Sequence, residues 1–273
     1  MKKKNLFERV VAAPYLLWSL LFIIGPLLFV LYFAFTDRDG SFTVENILGL
    51  SEYSGTFWMS LGFSLIATTV CLLIGYPLAY AMSKTAPRTR SILMVLLMLP
   101  MWISLLIRTY SLMALLDNGG LVSSFLTWLG FSKLTFIGTE GAVILGMIYD
   151  FLPYMVLPIY TSMTKLDTRY LEAAADLGCN SGKTLLHVML PLTMPGVVSG
   201  VTMVFVPSIS TFYISQKLGG GSFDLIGDTI ERQFQNAVTY HTGAAISLVM
   251  MILILISLAV MNRFSDKGGE IIV

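Results

Sequence analysis

Six apolar runs, each long enough to cross a bilayer as a helix, take up about half of this chain. They lie at about 10–35, 60–82, 92–115, 141–163, 196–215 and 243–261. A spanning helix needs roughly 20 residues, and in lipid it must satisfy its own backbone hydrogen bonds because no water is there to do so. The runs therefore predict an all-α membrane protein of six transmembrane helices, organised as a single domain over residues 1–273. Composition agrees: 12% of residues are charged, against about 25% in an ordinary soluble domain. The first run follows Lys2, Lys3, Lys4 and Arg9. It is too long for the core of a signal peptide and no small-x-small cleavage site follows it, so a retained first span is expected.

Basic residues set the expected orientation. Twelve lie on one side of the six runs: Lys2, Lys3, Lys4, Arg9, Lys84, Arg88, Arg90, Lys165, Arg169, Lys183, Arg263 and Lys267. Four lie on the other: Arg38, Lys133, Lys217 and Arg232. Both termini and the 164–195 connection are accordingly expected in the cytoplasm of a multi-pass cell-membrane protein. Two outer segments have helical character, 121–129 with Trp128 as an interfacial anchor and 226–234. Neither is large enough to be a domain, so a soluble catalytic or ligand-capturing module must be a separate chain.

Prolines 77, 100, 153, 158 and 207 interrupt the spans. Neighbouring helices, side chains or water must then satisfy the freed carbonyls. Two charges fall well inside a span, Arg108 and Asp150. A charge at the bilayer centre costs at least about 2.5 kcal/mol, so such residues turn toward a bundle interior or a wet path. Arg108 is long enough to snorkel toward the outer surface. Asp150 has no such exit and is expected either to line a path or to pair helices, with Tyr149 and Tyr154 beside it.

The connection at 167–191 is unlike the rest. Asp167 or Thr168 is placed to cap a helix whose positions 171, 174, 175 and 178 share one face. Leu171, Ala174, Ala175 and Gly178 make that face nearly flat. Gly178 suits a left-handed helix end, Asn180 or Ser181 a second cap, and Pro191 is expected to stop the second helix. The product is a helix-turn-helix elbow.

Enzyme signatures are missing from the sequence. Gly178, Gly182, Lys183 and Thr184 approximate a phosphate loop, but three residues separate the glycines where four are needed, and no strand precedes them. Gly219, Gly220 and Gly221 lack dinucleotide spacing. His187, His241, Cys71 and Cys179 show no metal-ligand spacing, and a net charge of +1 offers nothing to nucleic acid.

The elbow carries a resemblance. Glu172-Ala173-Ala174, then Gly178, then nine residues, then Val188-x-Leu190-Pro191 resembles the EAA signature of ABC-importer permeases, with Val188 where the family has isoleucine. The likeness runs on through Gly75-Tyr76-Pro77-Leu78-Ala79-Tyr80, Leu99-Pro100-Met101-Trp102 and Leu106-Ile107-Arg108-Thr109-Tyr110. It includes Leu152-Pro153-Tyr154-Met155-Val156-Leu157-Pro158 and Pro191-Leu192-Thr193-Met194-Pro195-Gly196, pieces similar to the B-type permeases of spermidine/putrescine importers. That resemblance implies the type I, MetI-like permease fold and half of a translocation path. It implies a coupling function for Glu172, Ala173, Ala174, Gly178, Leu190 and Pro191, which dock on a separate cytoplasmic ATPase dimer that binds the ATP. A second permease, an extracytoplasmic solute-binding protein and surrounding lipid are the other implied partners, with no cofactor or metal in this chain. For a polyamine, Asp150, Trp102, Tyr110, Tyr149 and Tyr154 become candidate path residues, joined by Tyr213 as a further cation–π face.

Two other readings stay open at this point. One is a permease for a different small substrate. The other is a secondary transporter driven by an ion gradient, with Asp150 as the proton or cation carrier, although no clear internal repeat supports it. An intramembrane enzyme lacks any catalytic constellation.

Overall fold

The computed structural model describes residues 14–130, 135–236 and 238–269. Lys2, Lys3, Lys4, Arg9, the start of the first expected span and Lys133 lie outside the described residues. Among those described, helices account for nearly everything. The one β-type feature is an isolated bridge between Thr36 and Phe42.

Among the described residues, four helices are long and apolar enough to cross a membrane unaided. They are α1 (Pro14–Ala34), α2 (Ser54–Lys84), α6 (Glu140–Thr164) and α12 (Tyr240–Gly269). Counting each of two bent pairs as one broken span brings the number to six. The first joins α3 (Pro87–Trp102) to α4 (Leu105–Leu116) and α5 (Leu121–Trp128) at 96°. The second joins α8 (Ser181–Leu192) to α9 (Met194–Ile209) at 73°. Between them lies α7 (Thr168–Asp176), and after them come α10 (Tyr213–Leu218) and α11 (Ile226–Gln235).

The expected third span, 92–115, is therefore not one helix. Pro100 removes an amide donor near the end of α3, and Ile103 and Ser104 are extended, with ψ of 139° and 138°. The expected fifth span, 196–215, also ends early. Helix α9 stops at Ile209, and Ser210 to Phe212 turn the chain before α10 starts. Hydropathy carries through both breaks, since the breaking residues are themselves apolar or small. The remaining prolines, at 77, 153, 158 and 207, sit inside continuous helices.

By contact density the chain divides into two compact units, Met1–Ser54 with Thr229–Leu253, and Gly55–Asp228 with Ile254–Val273. In the described part of the first unit, α1 exposes apolar side chains all round, as a helix does when lipid is its solvent. Its end is tied down locally. His241 Nδ1 lies 3.1 Å from the Phe33 carbonyl, Tyr240 packs edge-on to Phe33, and Arg38 Nη2 donates to the Val238 carbonyl at 2.9 Å.

The second unit is built around α6. Val143, Met147, Met155, Val156 and Ile159 are fully buried along it, with Ala67, Cys71 and Ala79 of α2 and Val204 of α9 in the same core. Small residues bring the neighbours close, as is usual where helices associate in lipid. A Cβ on Gly196 of α9 would stand 2.5 Å from Ser162 Cβ and 2.7 Å from the Pro158 carbonyl of α6. One turn on, a Cβ on Gly200 would meet the Met155 carbonyl at 3.0 Å. The backbones of α6 and α9 are in contact, and only glycine permits that spacing.

Candidate coupling elbow and path-facing residues

Local chemistry shapes the elbow much as its residues suggest. The Asp167 carboxylate accepts from the Arg169 amide at 3.0 Å and caps α7. At the other end Gly178 takes φ +77°, and the Cys179 and Gly178 amides donate to the carbonyls of Ala174 and Ala175 at 3.0 and 2.9 Å. That is a Schellman end, which needs a left-handed residue where glycine has no steric penalty. Asn180 Oδ1 then accepts from the Lys183 amide at 2.8 Å and starts α8.

Two details differ from expectation. Pro191 does not stop α8. Residues 185–189 form a π-type turn in which the Leu190 amide donates to the Leu185 carbonyl. The shifted register carries the helix past the proline, and the bend falls at Thr193. Nor does the small-residue face act as one surface. Ala174 is buried and Leu171 half-buried, while Ala175 and Gly178 are exposed. Helix α7 lies against the π-type turn of α8, so the elbow folds its inner residues onto itself. Tyr170, Glu172, Ala173 and Leu177 also face outward, the last 85% exposed. Leu190 and Pro191 are half-buried on the second limb.

The elbow connects to the membrane helices at its bend. Thr193 is fully buried, and its hydroxyl donates to the Met189 carbonyl at 2.7 Å. The Tyr76 hydroxyl of α2 lies 3.0 Å from Thr193 Oγ1. This contact joins residues 117 apart and has no local signature beyond the tyrosine of the Gly75-Tyr76-Pro77 segment.

The two intramembrane charges meet each other. Arg108 Nη1 stands 3.2 Å from Asp150 Oδ1 and donates to the Asp150 backbone carbonyl at 3.2 Å. Thr109 Oγ1 approaches Asp150 Oδ2 at 3.4 Å. Asp150 is 0% and Arg108 5% exposed. Arg108 thus turns inward rather than snorkelling, because a carboxylate and a carbonyl are within its reach. The Asp150 carboxylate is covered by that same contact. Its partner Thr109 is legible in sequence only as the neighbour of Arg108.

The aromatic candidates are spread over the second unit. Trp102, at the end of α3, is 71% exposed, and Tyr149 is also exposed. Neither makes a ring contact or hydrogen bond with Asp150 among the described residues. Tyr154 is half-buried and helps to line an open cavity of about 700 Å³ with Met101, Pro158, Lys165, Gly196 and Met203. Tyr110 is 49% exposed and packs edge-on against Tyr213 with ring centres 5.9 Å apart. The structure brings Lys217 to this pair, a residue that the sequence presents only as an outer-loop charge.

Comparison with known proteins places this geometry. Residues 72–268 match the model of the binding-protein-dependent transport system inner membrane component family. The spermidine/putrescine transport system permease protein PotB of Haemophilus influenzae is 38% identical over 269 residues, covering 95% of this chain and 94% of that protein. A bacterial ABC transporter involved in importing the acidic polysaccharide alginate has the same fold, with a TM-score of 0.77 at 17% identity, covering 96% of this chain and 95% of that one. The alginate transporter in complex with its alginate pentasaccharide-bound periplasmic protein matches with a TM-score of 0.76 at the same identity, covering 96% and 94%.

Proposed function

Because this chain belongs to the family of binding-protein-dependent transport system inner membrane components, we propose that it forms half of the translocation path of an ATP-driven polyamine importer. It is a multi-pass permease subunit of an ABC importer, without an ATPase site of its own. The substrate class, spermidine or putrescine, is inferred from the near full-length similarity to PotB. The alginate importer shares the fold at 17% identity, so cargo identity is carried by side chains and partners and not by the helical frame.

The remaining partners are inferred from the family architecture. ATP is bound by a cytoplasmic ATPase dimer, a second permease completes the path, and an extracytoplasmic binding protein delivers the cargo. The excess of twelve basic residues over four supports a cytoplasmic elbow and cytoplasmic termini. In this arrangement Tyr170, Glu172, Ala173 and Leu177 meet the ATPase. Ala174 and Gly178 shape the knob that presents them. Closure of the ATPase dimer moves the elbow, and the bend at Thr193 passes that movement to α9 and, through Tyr76, to α2.

On the path itself, the exposed rings of Trp102, Tyr110 and Tyr149 and the half-buried ring of Tyr154 offer faces to ammonium groups, each worth about 0.5–2 kcal/mol. Asp150 contributes as a positioning residue: it holds Arg108 and so fixes α4 against α6. The experiment is uptake of labelled spermidine by proteoliposomes that contain this chain with its partner subunits. Uptake that requires internal ATP and the binding protein, and that Glu172→Lys abolishes while the chain still inserts, is the expected result. ATP-independent uptake by this chain alone sinks the reading in favour of a secondary transporter.

A further inference from the structure

The Tyr110–Tyr213 pair already holds an ammonium. Lys217 Nζ lies 5.3 Å from the centre of the Tyr110 ring and 5.7 Å from that of Tyr213. Both distances are within the reach of a cation–π contact. Tyr213 and Lys217 are four residues apart on α10 and so share a helix face. The opposite face is buried through Ile214, Ser215 and Leu218. Tyr110 sits two residues beyond Arg108, whose pairing with Asp150 anchors α4 to α6. Leu218 and Ile214 close over Gly146 of the same α6. Both halves of the clamp are thus held on one central helix, while the Tyr110 ring remains half open to the outside.

We propose that this clamp is an ammonium site on the cargo path and that Lys217 is its tethered stand-in, which an arriving cargo ammonium displaces. The inference rests on the polyamine reading above. A lysine head and a primary-amine terminus of a polyamine have the same charge, the same three donors and nearly the same size, so rings that accept one accept the other. The tethered group keeps the rings ordered between cargo molecules. Competition and like-charge repulsion from Lys217 both oppose cargo binding, so the site holds a polyamine only while it is abundant and then lets it move on.

Two measurements on the importer purified with its partner subunits test this. In uptake assays, Lys217→Met is expected to lower the KM for spermidine about two- to fivefold, the ratio that a weak exposed cation–π contact supports. Lys217→Arg keeps the wild-type value, and adding Tyr110→Leu to Lys217→Met removes the gain. For the second, lysines are converted to ¹³C-dimethyl-lysine, which retains its charge. The Lys217 resonance, identified by its loss in Lys217→Arg, is expected to be shifted upfield by the rings, to lose that shift in Tyr110→Leu, and to move toward the free-lysine position with spermidine. A resonance without ring shift overturns the clamp. A shifted resonance that saturating spermidine leaves in place, in an importer that does transport spermidine, overturns the stand-in role and leaves the polyamine reading intact. Absence of any spermidine uptake by the wild-type importer overturns that reading, and the stand-in role with it.

Discussion

Arg108 and Asp150, 42 residues apart, meet at 3.2 Å in a place almost without solvent, and Arg108 also takes the Asp150 backbone carbonyl. The pair does not complete its own hydrogen bonding. Arg108 Nε and Asp150 Oδ1 have no hydrogen-bond partner among the described residues. The 3.2 Å approach of Nη1 to Oδ1 is therefore a charge contact without hydrogen-bond geometry. Removing one member of a buried pair costs about 3–5 kcal/mol in soluble proteins, mostly because the other charge is stranded. Asp150→Asn and Arg108→Gln should each lower the melting temperature of the purified chain, and the double variant should recover most of the loss. Single variants that melt like the wild type would show that the pair does not hold α4 to α6.

Tyr76 and Thr193 supply a second long-range contact, at the bend between elbow and span. Interhelical hydrogen bonds in membrane proteins average about 0.6 kcal/mol, so Tyr76→Phe should scarcely change the melting temperature. Its effect should appear in coupling. More ATP should be hydrolysed per spermidine imported, and Thr193→Val should add little on top, since the same contact is already gone. An unchanged ratio of ATP to cargo in Tyr76→Phe argues that the bend moves independently of α2.

Gly196 and Gly62 make a matched test of backbone proximity. A Cβ at Gly196 meets Ser162 Cβ and a backbone carbonyl, neither of which can swing away, whereas one at Gly62 meets nothing within 4 Å. Overpacking of this kind costs at least about 1–3 kcal/mol. Gly196→Leu should reduce the yield of folded chain in the membrane. Gly62→Ala should be neutral or up to about 1 kcal/mol stabilising through helix propensity. Equal yields for the two would refute the close approach of α6 and α9.

Leu177 tests the elbow at its tip. It is 85% exposed, so Leu177→Asp removes little packing within this chain. The expected outcome is normal insertion and melting, with the ATPase no longer co-purifying and uptake lost. Retention of the ATPase by Leu177→Asp would move the docking surface elsewhere on the elbow. Gly178→Val should fail by another route, because a β-branched residue resists φ +77° and the Schellman end would not close.

The elbow shows how far residues can be read in order. Asp167, Gly178 and Asn180 do what their chemistry suggests, because a cap is decided by atoms within about four residues of one another. Which side of α7 turns inward was not legible. Gly178 lies beyond the end of α7, and only the fold of α8 against α7 buries Ala174, half-buries Leu171 and leaves Ala175 and Gly178 outside. Pro191 misled for a related reason: a proline ends a regular α-helix, and the π-type turn before it was invisible in the sequence.

Hydropathy and charge sums along the sequence determined an all-α membrane protein with six long apolar runs and basic residues concentrated on one side of them, since each is a sum over neighbouring residues. The same sums ran through Ile103–Ser104 and Ser210–Phe212, where the helices break, because an extended apolar residue counts the same as a helical one. Tertiary structure decided the partners. Arg108 found Asp150, Tyr76 found Thr193, and Lys217 came to lie over Tyr110 and Tyr213. These contacts depend on which faces of separate helices are packed together, and the glycines at 75, 196 and 200 decide how closely α2, α6 and α9 approach. No window along the chain contains that information.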